Sequence, residues 1–286
     1  MSISADVLRS YRSIDEKTVD ELLAQEIKNN NKKIVVLDDD PTGVQTVHDI
    51  SVYTGWDADS LREAFAEENN LFYILTNSRG FTEEQTKAAH LEIADAVDRA
   101  AKEASRDYIF ISRSDSTLRG HYPLETRLLK ECYERNTGVK LDGEILCPFF
   151  KEGGRYTIGN VHYVKYGDEL VPAHETEFAK DKTFGYTAED LPAYVEEKTA
   201  GEYKAKDVIS ISLEDIRSMD FDKIESQLMS AKNFNKIIVN AIDYSDIKVF
   251  AVALFRAMNA GKMFMFRTAA ALVKVMGGVS DMPLLT

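Results

Sequence analysis

Ile34-Val-Val-Leu-Asp-Asp-Asp-Pro-Thr-Gly43 is the stretch whose reading decides the fold. Ile34–Leu37 is a short, continuous apolar run with three β-branched residues, the pattern of a strand covered on both faces. Asp38, Asp39 and Asp40 follow at once. A buried strand cannot hide three carboxylates, so it must end there and present them at a sheet edge. Pro41 biases Asp40 toward extended backbone, and Thr42-Gly43 offers a hydroxyl and a residue free to take positive φ. The product is a cluster of negative oxygens beside a tight turn at a strand's C-terminal end, where open α/β sheets bind ligands. The competing reading is a solvated loop in which one aspartate caps the next helix.

Outward from that stretch, strands and helices alternate. Residues 1–33 form an N-terminal helical extension, with a helix over 15–29 that carries Val19, Leu22, Leu23 and Ile27 on one face. Further strands are predicted at 50–54, 71–75, 108–111, 144–147, 208–211, 237–239 and 263–266. Helices are predicted at 60–68, 83–104, 123–134 and 245–259, with a last one ending near Met276. Thr82 and Gln85 have the spacing of a capping box. Ser212 and Asp215 mark the start of a short helix. Residues 149–206 break the pattern: a polar turn at 151–156, a hairpin of 161–166 with 169–171, and an aperiodic tract over 174–186. They read as an insertion that covers or extends the site. The expected class is α/β, a three-layer, Rossmann-like, mostly parallel sheet with helices on both faces and an inserted β-hairpin region. All 286 residues are expected to form one domain.

A net charge of −13 argues against a nucleic-acid or anionic-membrane partner. It also requires that any anionic ligand be attracted by a local cluster of arginines. Cys132 and Cys147 fit two buried thiols in a reducing cytoplasm rather than a disulfide framework. No apolar run is long enough to span a bilayer and no signal-peptide layout opens the chain, so a cytoplasmic location is expected. The five histidines form no metal-ligand pair at helical spacing. His90 reads as structural, and His121 as a residue beside the site within reach of a ligand. Trp56 reads as packing. Neither a Walker A pattern nor a Gly-rich dinucleotide fingerprint is present.

Four predicted strand ends carry polar groups: the Asp38–Asp40 cluster, Ser78-Arg79, the run Arg113 to Arg119, and Arg267-Thr268. In a parallel sheet these ends share one rim, which brings Arg79, Arg113, Arg119 and Arg267 toward the acids. A guanidinium fork binds a carboxylate through two parallel bonds, and acids on the same rim can accept bonds or a proton from hydroxyls. The set suits a small polyhydroxy acid. The competing reading is that the arginines simply pair with the acids and close the rim. Ser114-Asp-Ser-Thr-Leu-Arg-Gly120 adds hydroxyls and backbone N–H groups ahead of a helix.

Asp39-Asp-Pro-Thr-Gly43 resembles the first motif of the four-carbon acid sugar kinase family, Thr76-Asn-Ser-Arg79 its second, and Arg113-Ser-Asp-Ser-Thr-Leu-Arg-Gly120 its third. Gln45-Thr-Val-His-Asp49, Glu152-Gly-Gly-Arg-Tyr156, Glu175-Thr-Glu-Phe-Ala179 and Phe266-Arg-Thr-Ala269 resemble a subgroup labelled type III effector Hrp-dependent, or Hop, proteins. The resemblance runs from about Lys33 to near the end. It implies binding of threonate- or erythronate-like sugar acids, with Asp39, Arg79, Arg113, Ser114, Asp115 and Ser116 as substrate contacts. Asp39 or Asp40 would accept the substrate hydroxyl proton. Arg113 stands where the family usually has Lys, exchanging a point charge for a fork. The chain ends about where the family's nucleotide domain would begin. The resemblance therefore implies the sugar-acid half alone, with no cofactor of its own. ATP and Mg²⁺ would come only with the other domain, through a separate partner chain, and turnover by this chain alone is not expected. A homo-oligomer stays open.

Two other readings compete. Asp38-Asp-Asp40-Pro-Thr42 also fits the opening of a haloacid-dehalogenase-type phosphatase, with Asp38 as nucleophile, Asp40 as acid/base and Mg²⁺ required. Asp243 and Asp246 are the only pair available for its later acids, and they fit poorly. The third reading is a non-catalytic sugar-acid-binding protein.

Overall fold

The chain is described by a computed structural model over residues 1–41 and 46–280. Thr42, Gly43 and Gln45 of the quoted motifs, and 283–286, lie outside the described residues.

The main sheet has eight strands: β2 (Lys33–Asp38), β3 (Val52–Tyr53), β4 (Leu71–Leu75), β5 (Tyr108–Arg113), β6 (Gly143–Cys147), β10 (Ile209–Ile211), β11 (Asn235–Val239) and β12 (Phe264–Thr268). Their order is β10-β11-β6-β12-β5-β2-β4-β3, and every pairing is parallel. One helical layer holds α2 (Ala58–Ala66), α3 (Glu83–Glu103) and α4 (Leu124–Thr137), packed in succession. The other holds α1 (Glu16–Asn29), α7 (Phe221–Ser230) and α9 (Ala270–Met276), all packed on α8 (Tyr244–Asn259). The chain is an α/β, three-layer, Rossmann-like fold, as the alternation predicts.

The order of strands locates a crevice. From β2 the chain winds outward to β3 and β4, then crosses back over β2 to β5. Winding reverses between β2 and β5, and in open sheets the ends of the strands flanking such a reversal leave a crevice between diverging connections. Late in the chain β12 slots between β5 and β6, so Thr268 lies in register with both Arg113 and Cys147.

Several strands extend beyond their apolar runs. β2 begins at Lys33, which is fully buried because its ammonium donates to the carbonyls of Glu67, at 3.0 Å, and Asn69. Burial pushes its pKa down to about 8. β5 runs on to Arg113 and β12 to Thr268, where the apolar pattern places the ends at Ile111 and Phe266. The ladder continues because Arg113 has Asp38 beside it. The caps at Thr82 and at Ser212, which opens α6 (Leu213–Arg217), form as their spacing implies, and Asp15, expected inside the first helix, is its N-cap. Pro123 takes the N-cap position of α4 rather than its first turn.

Residues 149–206 hold more structure than a hairpin. The tract expected as a polar turn leads into β7 (Arg155–Ile158), which pairs with β8 (Val161–Tyr166). β9 (Glu169–Pro172) follows, and the N-terminal β1 (Ile3–Ser4) completes an antiparallel sheet in the order β1-β9-β8-β7. The aperiodic tract forms 3-10 turns at Ala173–Glu175 and Glu177–Lys180, and α5 (Leu191–Lys198) follows.

A buried ion pair ties β6 to β11 at the end of the sheet away from the crevice. Glu144 and Lys236 are register partners, fully buried and bonded to each other. The ammonium also lies over the rings of Tyr203 and Phe234, 4.1 and 3.9 Å from their centroids. Lys236→Met leaves a buried carboxylate unpaired and should cost about 3–5 kcal/mol in urea unfolding, whereas Lys236→Met with Glu144→Gln should recover most of it. Equal loss in the single and double variants would show that the pair itself carries no such coupling.

Candidate functional site

The crevice between β2 and β5 is built from consecutive strand ends. Asp38 is the last residue of β2 and pairs in register with Arg113, the last of β5. Arg113 Nη1 donates to Asp38 Oδ1 at 2.8 Å and lies 3.5 Å from Asp39 Oδ1. After β4, Thr76 donates its hydroxyl to the Asp38 carbonyl, Asn77 takes a left-handed conformation, and a 3-10 turn over Ser78–Gly80 swings Arg79 back over the crevice. Arg79 forks Asp39, Nε to Oδ2 at 3.1 Å and Nη2 to Oδ1 at 2.6 Å, and its Nη1 donates to Asp40 at 2.9 Å. Ser114 Oγ reaches Asp39 Oδ2 at 3.3 Å. Asp38, Asp39, Asp40, Arg79, Arg113 and Ser114 therefore meet in one cluster, and the arginines pair with the acids inside it.

Asp38 has no exposed side-chain surface, and its Oδ2 has no hydrogen-bond partner among the described residues. Burial pushes its carboxyl up to about 6, against the pull of Arg113. Burial also raises Asp39, with the Arg79 fork opposing it. Asp115 is likewise opposed by burial, yet bonds from Arg119 and Thr117 hold its pKa below the ordinary carboxylate value.

The run 114–120 is tied down carbonyl by carbonyl. Ser116 O accepts from His162 Nε2 at 2.7 Å, Thr117 O from the Tyr186 hydroxyl at 3.3 Å, and Leu118 O from the Tyr194 hydroxyl at 2.9 Å. Arg119 O accepts from Arg267 Nη2 at 3.1 Å and from Ser114 Oγ at 3.3 Å. Burial pushes His162 down to about 4, so its ring is neutral at pH 7. Nε2 then carries the proton, and Nδ1 accepts from the Thr157 hydroxyl. Leu118 is held at φ 72° and Gly120 at φ 119°. A Cβ on Gly120 would stand 2.9 Å from Ser114 Oγ and 3.4 Å from Asp39 Oδ2, so glycine is required twice over there.

Two arginines depart from the expected arrangement. Arg267 does not pair with the aspartates. It is buried with its guanidinium over the Tyr122 ring, 5.0 Å from the centroid, and its Nη2 donates to the carbonyls of Leu118 and Arg119. Arg119 turns to Asp115, Nε to Oδ2 at 2.6 Å, with its guanidinium over Phe178. Ser116 enters through its backbone carbonyl. His121 bonds Phe81 O at 2.9 Å and sets its ring against Phe184. His90 bonds Thr86 O within its own helix, and Trp56 packs on the core. The phosphatase reading asks Asp38 to attack a phosphate, which its complete burial against Arg113 does not permit. Asp243 caps α8, and Asp246 bonds Arg217.

Sequence reasoning did not find Glu125, His162, Tyr186 or Tyr194. Glu125 is buried and accepts from Ser78 Oγ at 2.9 Å. In the sequence it reads as an ordinary first-turn acid, with no signal to set it apart. His162 sits on a hairpin strand, and only the parity of that strand could have pointed it inward.

A family model described as a sugar-binding N-terminal domain matches residues 34–276. No curated protein matches the sequence. Among solved structures, a domain of unknown function (DUF1537) from Bordetella bronchiseptica, with bound citrate and as a domain-swapped dimer, superposes with a TM-score of 0.60 at 18% identity, over 85% of this chain and 55% of that one. A Haemophilus influenzae protein of the same DUF1537 family gives 0.53 at 16% identity, over 85% and 55%. A protein titled putative tRNA synthase from Salmonella typhimurium gives 0.54 at 12% identity, over 87% and 55%. At these identities the likeness shows the fold. The chain spans about half the length of these proteins.

A carboxyl whose folded pKa lies above its unfolded value favours the folded state most at low pH. That contribution is full below about 4 and is lost as pH rises through the folded value. A ¹³C-carboxyl titration should therefore place the Asp38 midpoint near 6. The stability lost between pH 5 and pH 7 should be smaller in Asp38→Asn. A midpoint at the ordinary aspartate value would show that Arg113 fully offsets burial, contrary to this expectation.

Proposed function

We propose that this chain, which belongs to the family of sugar-binding N-terminal domains, binds a four-carbon sugar acid of the threonate or erythronate type at the β2–β5 crevice. In this reading it forms the substrate half of an ATP-dependent acid sugar kinase. One observation carries the reading: guanidinium groups and carboxylates from separate strand ends converge at the winding reversal, Arg79 on Asp39 and Asp40 and Arg113 on Asp38 and Asp39. A hydroxy acid needs donors for its carboxylate and acceptors for its hydroxyls, and here both kinds stand side by side. Their orientation is fixed beforehand, so binding orders few side chains. The carboxylate draws on Arg79 and Arg113, with Arg119 and Arg267 behind the loop. The hydroxyls face Asp39, Asp40, Ser114, Asp115 and Ser116. The citrate of the Bordetella neighbour is a hydroxy acid of the same chemical kind.

Asp40 is the residue to take a proton from the ligand hydroxyl. Its side chain is 25% exposed, whereas Asp39 is 3% exposed with both oxygens engaged by Arg79. Phosphoryl transfer to that hydroxyl would use ATP and Mg²⁺ held by a nucleotide-binding domain outside these residues. The chain's span of about half its structural neighbours is in keeping with such a division.

Calorimetry with D- and L-threonate and D- and L-erythronate tests the reading. At least one should bind, and Arg79→Met or Asp39→Asn should weaken it about tenfold to a hundredfold, the worth of a lost charge-assisted bond. A folded chain that binds none of the four overturns the assignment. In a coupled ATP assay the chain alone should give no turnover, and turnover would refute the half-site reading.

A further inference from the structure

Arg155, the first residue of β7, has a fixed backbone and an uncommitted side chain. Its N–H donates to Phe150 O at 2.8 Å, its carbonyl accepts from Phe150 N at 3.0 Å, and it lies in register with Val164 of β8. The turn that brings it there requires glycine. Gly154 takes φ 69°, and a Cβ on Gly153 would stand 2.6 Å from Phe150 Cδ1. Strand parity then aims Arg155 at the loop after β5. Arg155 and Thr157 share a face of β7, and their register partners Val164 and His162 share that face of β8. From this face His162 reaches Ser116 O at 2.7 Å. The Arg155 guanidinium lies over the Phe178 ring, 5.4 Å from its centroid, and that of Arg119, in the loop, lies over the same ring at 5.1 Å. The loop begins at Ser114, whose Oγ is 3.3 Å from Asp39 Oδ2 in the crevice.

Among the described residues Arg155 forms no ion pair and no side-chain hydrogen bond, and its Nε is shut off from solvent without a partner. It is half-buried, and burial lowers its pKa. Asp115 and Glu177 act on it without pairing with it. Asp115 gives Oδ2 to Arg119 Nε and to the Thr117 hydroxyl, and Glu177 is exposed and takes the Tyr166 hydroxyl. Asp181, the next acid along, accepts from Thr183 N and Phe184 N. Packing on Phe178 explains where the guanidinium rests, and a contact of that kind contributes about 0.5–1 kcal/mol. It leaves the fork of N–H donors, the part of the side chain that recognises a carboxylate, without a protein acceptor among the described residues.

We propose that Arg155 is a ligand-binding residue that the insertion contributes to the crevice, a guanidinium for the carboxylate of the bound sugar acid. It adds a cation on the insertion side of the loop to Arg79 on the strand side, three of whose bonds already go to Asp39 and Asp40. This rests on the reading that the β2–β5 crevice holds a sugar acid. It also gives the Glu152-Gly-Gly-Arg-Tyr156 motif a task, since the two glycines set the turn that presents the arginine.

Calorimetry on the full chain tests this, with D- and L-threonate and D- and L-erythronate as ligands and the uncharged alcohols threitol and erythritol as competitors. For the acid that binds wild type best, Arg155→Met should weaken binding about tenfold to a hundredfold, and Arg155→Lys, which keeps the charge without the fork, should weaken it less. The alcohols carry no carboxylate and should lose no affinity in either variant. Thermal melts should show Arg155→Met as stable as wild type, because no protein group loses an ion-pair partner. A folded Arg155→Met that binds the acid as wild type does, while Arg79→Met weakens it, overturns this proposal and leaves the crevice reading standing. An equal loss for acid and alcohol would show that Arg155 only braces the loop, and overturns it too. If no acid binds wild type, the crevice reading fails and the role of Arg155 fails with it.

Discussion

Asp38 and Arg113 end adjacent parallel strands, and burying that pair at the edge of the sheet is the constraint on which the rest depends. Each would be costly in the interior without the other. Register and charge therefore reinforce each other. Both strands are buried on both faces, so side-chain parity does not fix the register, but a slip of one residue would separate the two charges. With the pair in place, Asp39 N bonds Arg113 O at 3.2 Å, Ser114 N bonds Thr268 O at 2.8 Å, and Arg79 N bonds Asp39 O at 3.2 Å. Three strand ends and the turn after β4 are thereby locked into one rim.

The insertion extends that rigidity to the loop after β5. Donors from β8 (His162), α5 (Tyr194), the turn before it (Tyr186) and β12 (Arg267) reach four successive carbonyls, Ser116 to Arg119. A loop pinned at every carbonyl can hold Leu118 in a left-handed conformation that an isolated peptide would avoid. Phe178, from the same insertion, has the guanidinium groups of both Arg119 and Arg155 over its ring, 5.1 and 5.4 Å from the centroid. The small antiparallel sheet is thus part of the site's framework as well as its cover.

Much of this was legible in the sequence, and for identifiable reasons. The β2 stretch, the capping box at Thr82 and the polar strand ends each rest on local chemistry, which survives in the fold. The convergence of Asp38–Asp40, Arg79, Arg113 and Ser114 follows from parallel topology alone. The inward turn of Arg267 was not legible. Its partners are backbone carbonyls of Leu118 and Arg119, and carbonyls leave no mark in a sequence. The same holds for the roles of His162, Tyr186 and Tyr194. β7 and α5 were missed because their neighbours override weak local patterns, Glu and Lys on α5 and a Gly pair before β7.

The self-pairing of arginines and acids, set against the ligand reading from the start, does not exhaust the rim. A guanidinium has five N–H donors. Arg79 spends three bonds on Asp39 and Asp40, which leaves two N–H groups, and its side chain stays 20% exposed. Among the described residues Arg113 Nε, Arg267 Nε and Asp38 Oδ2 have no partner, and all three are shut off from solvent. In a chain of net charge −13 the pairing also reduces the repulsion an incoming anion would meet, since Asp38, Asp39 and Asp40 each already pair with a guanidinium. On the proposed reading, a ligand carboxylate would take up the two spare N–H groups of Arg79 without breaking an existing pair. On the proposed reading, that prior pairing is what lets an acidic protein admit an acid at this rim.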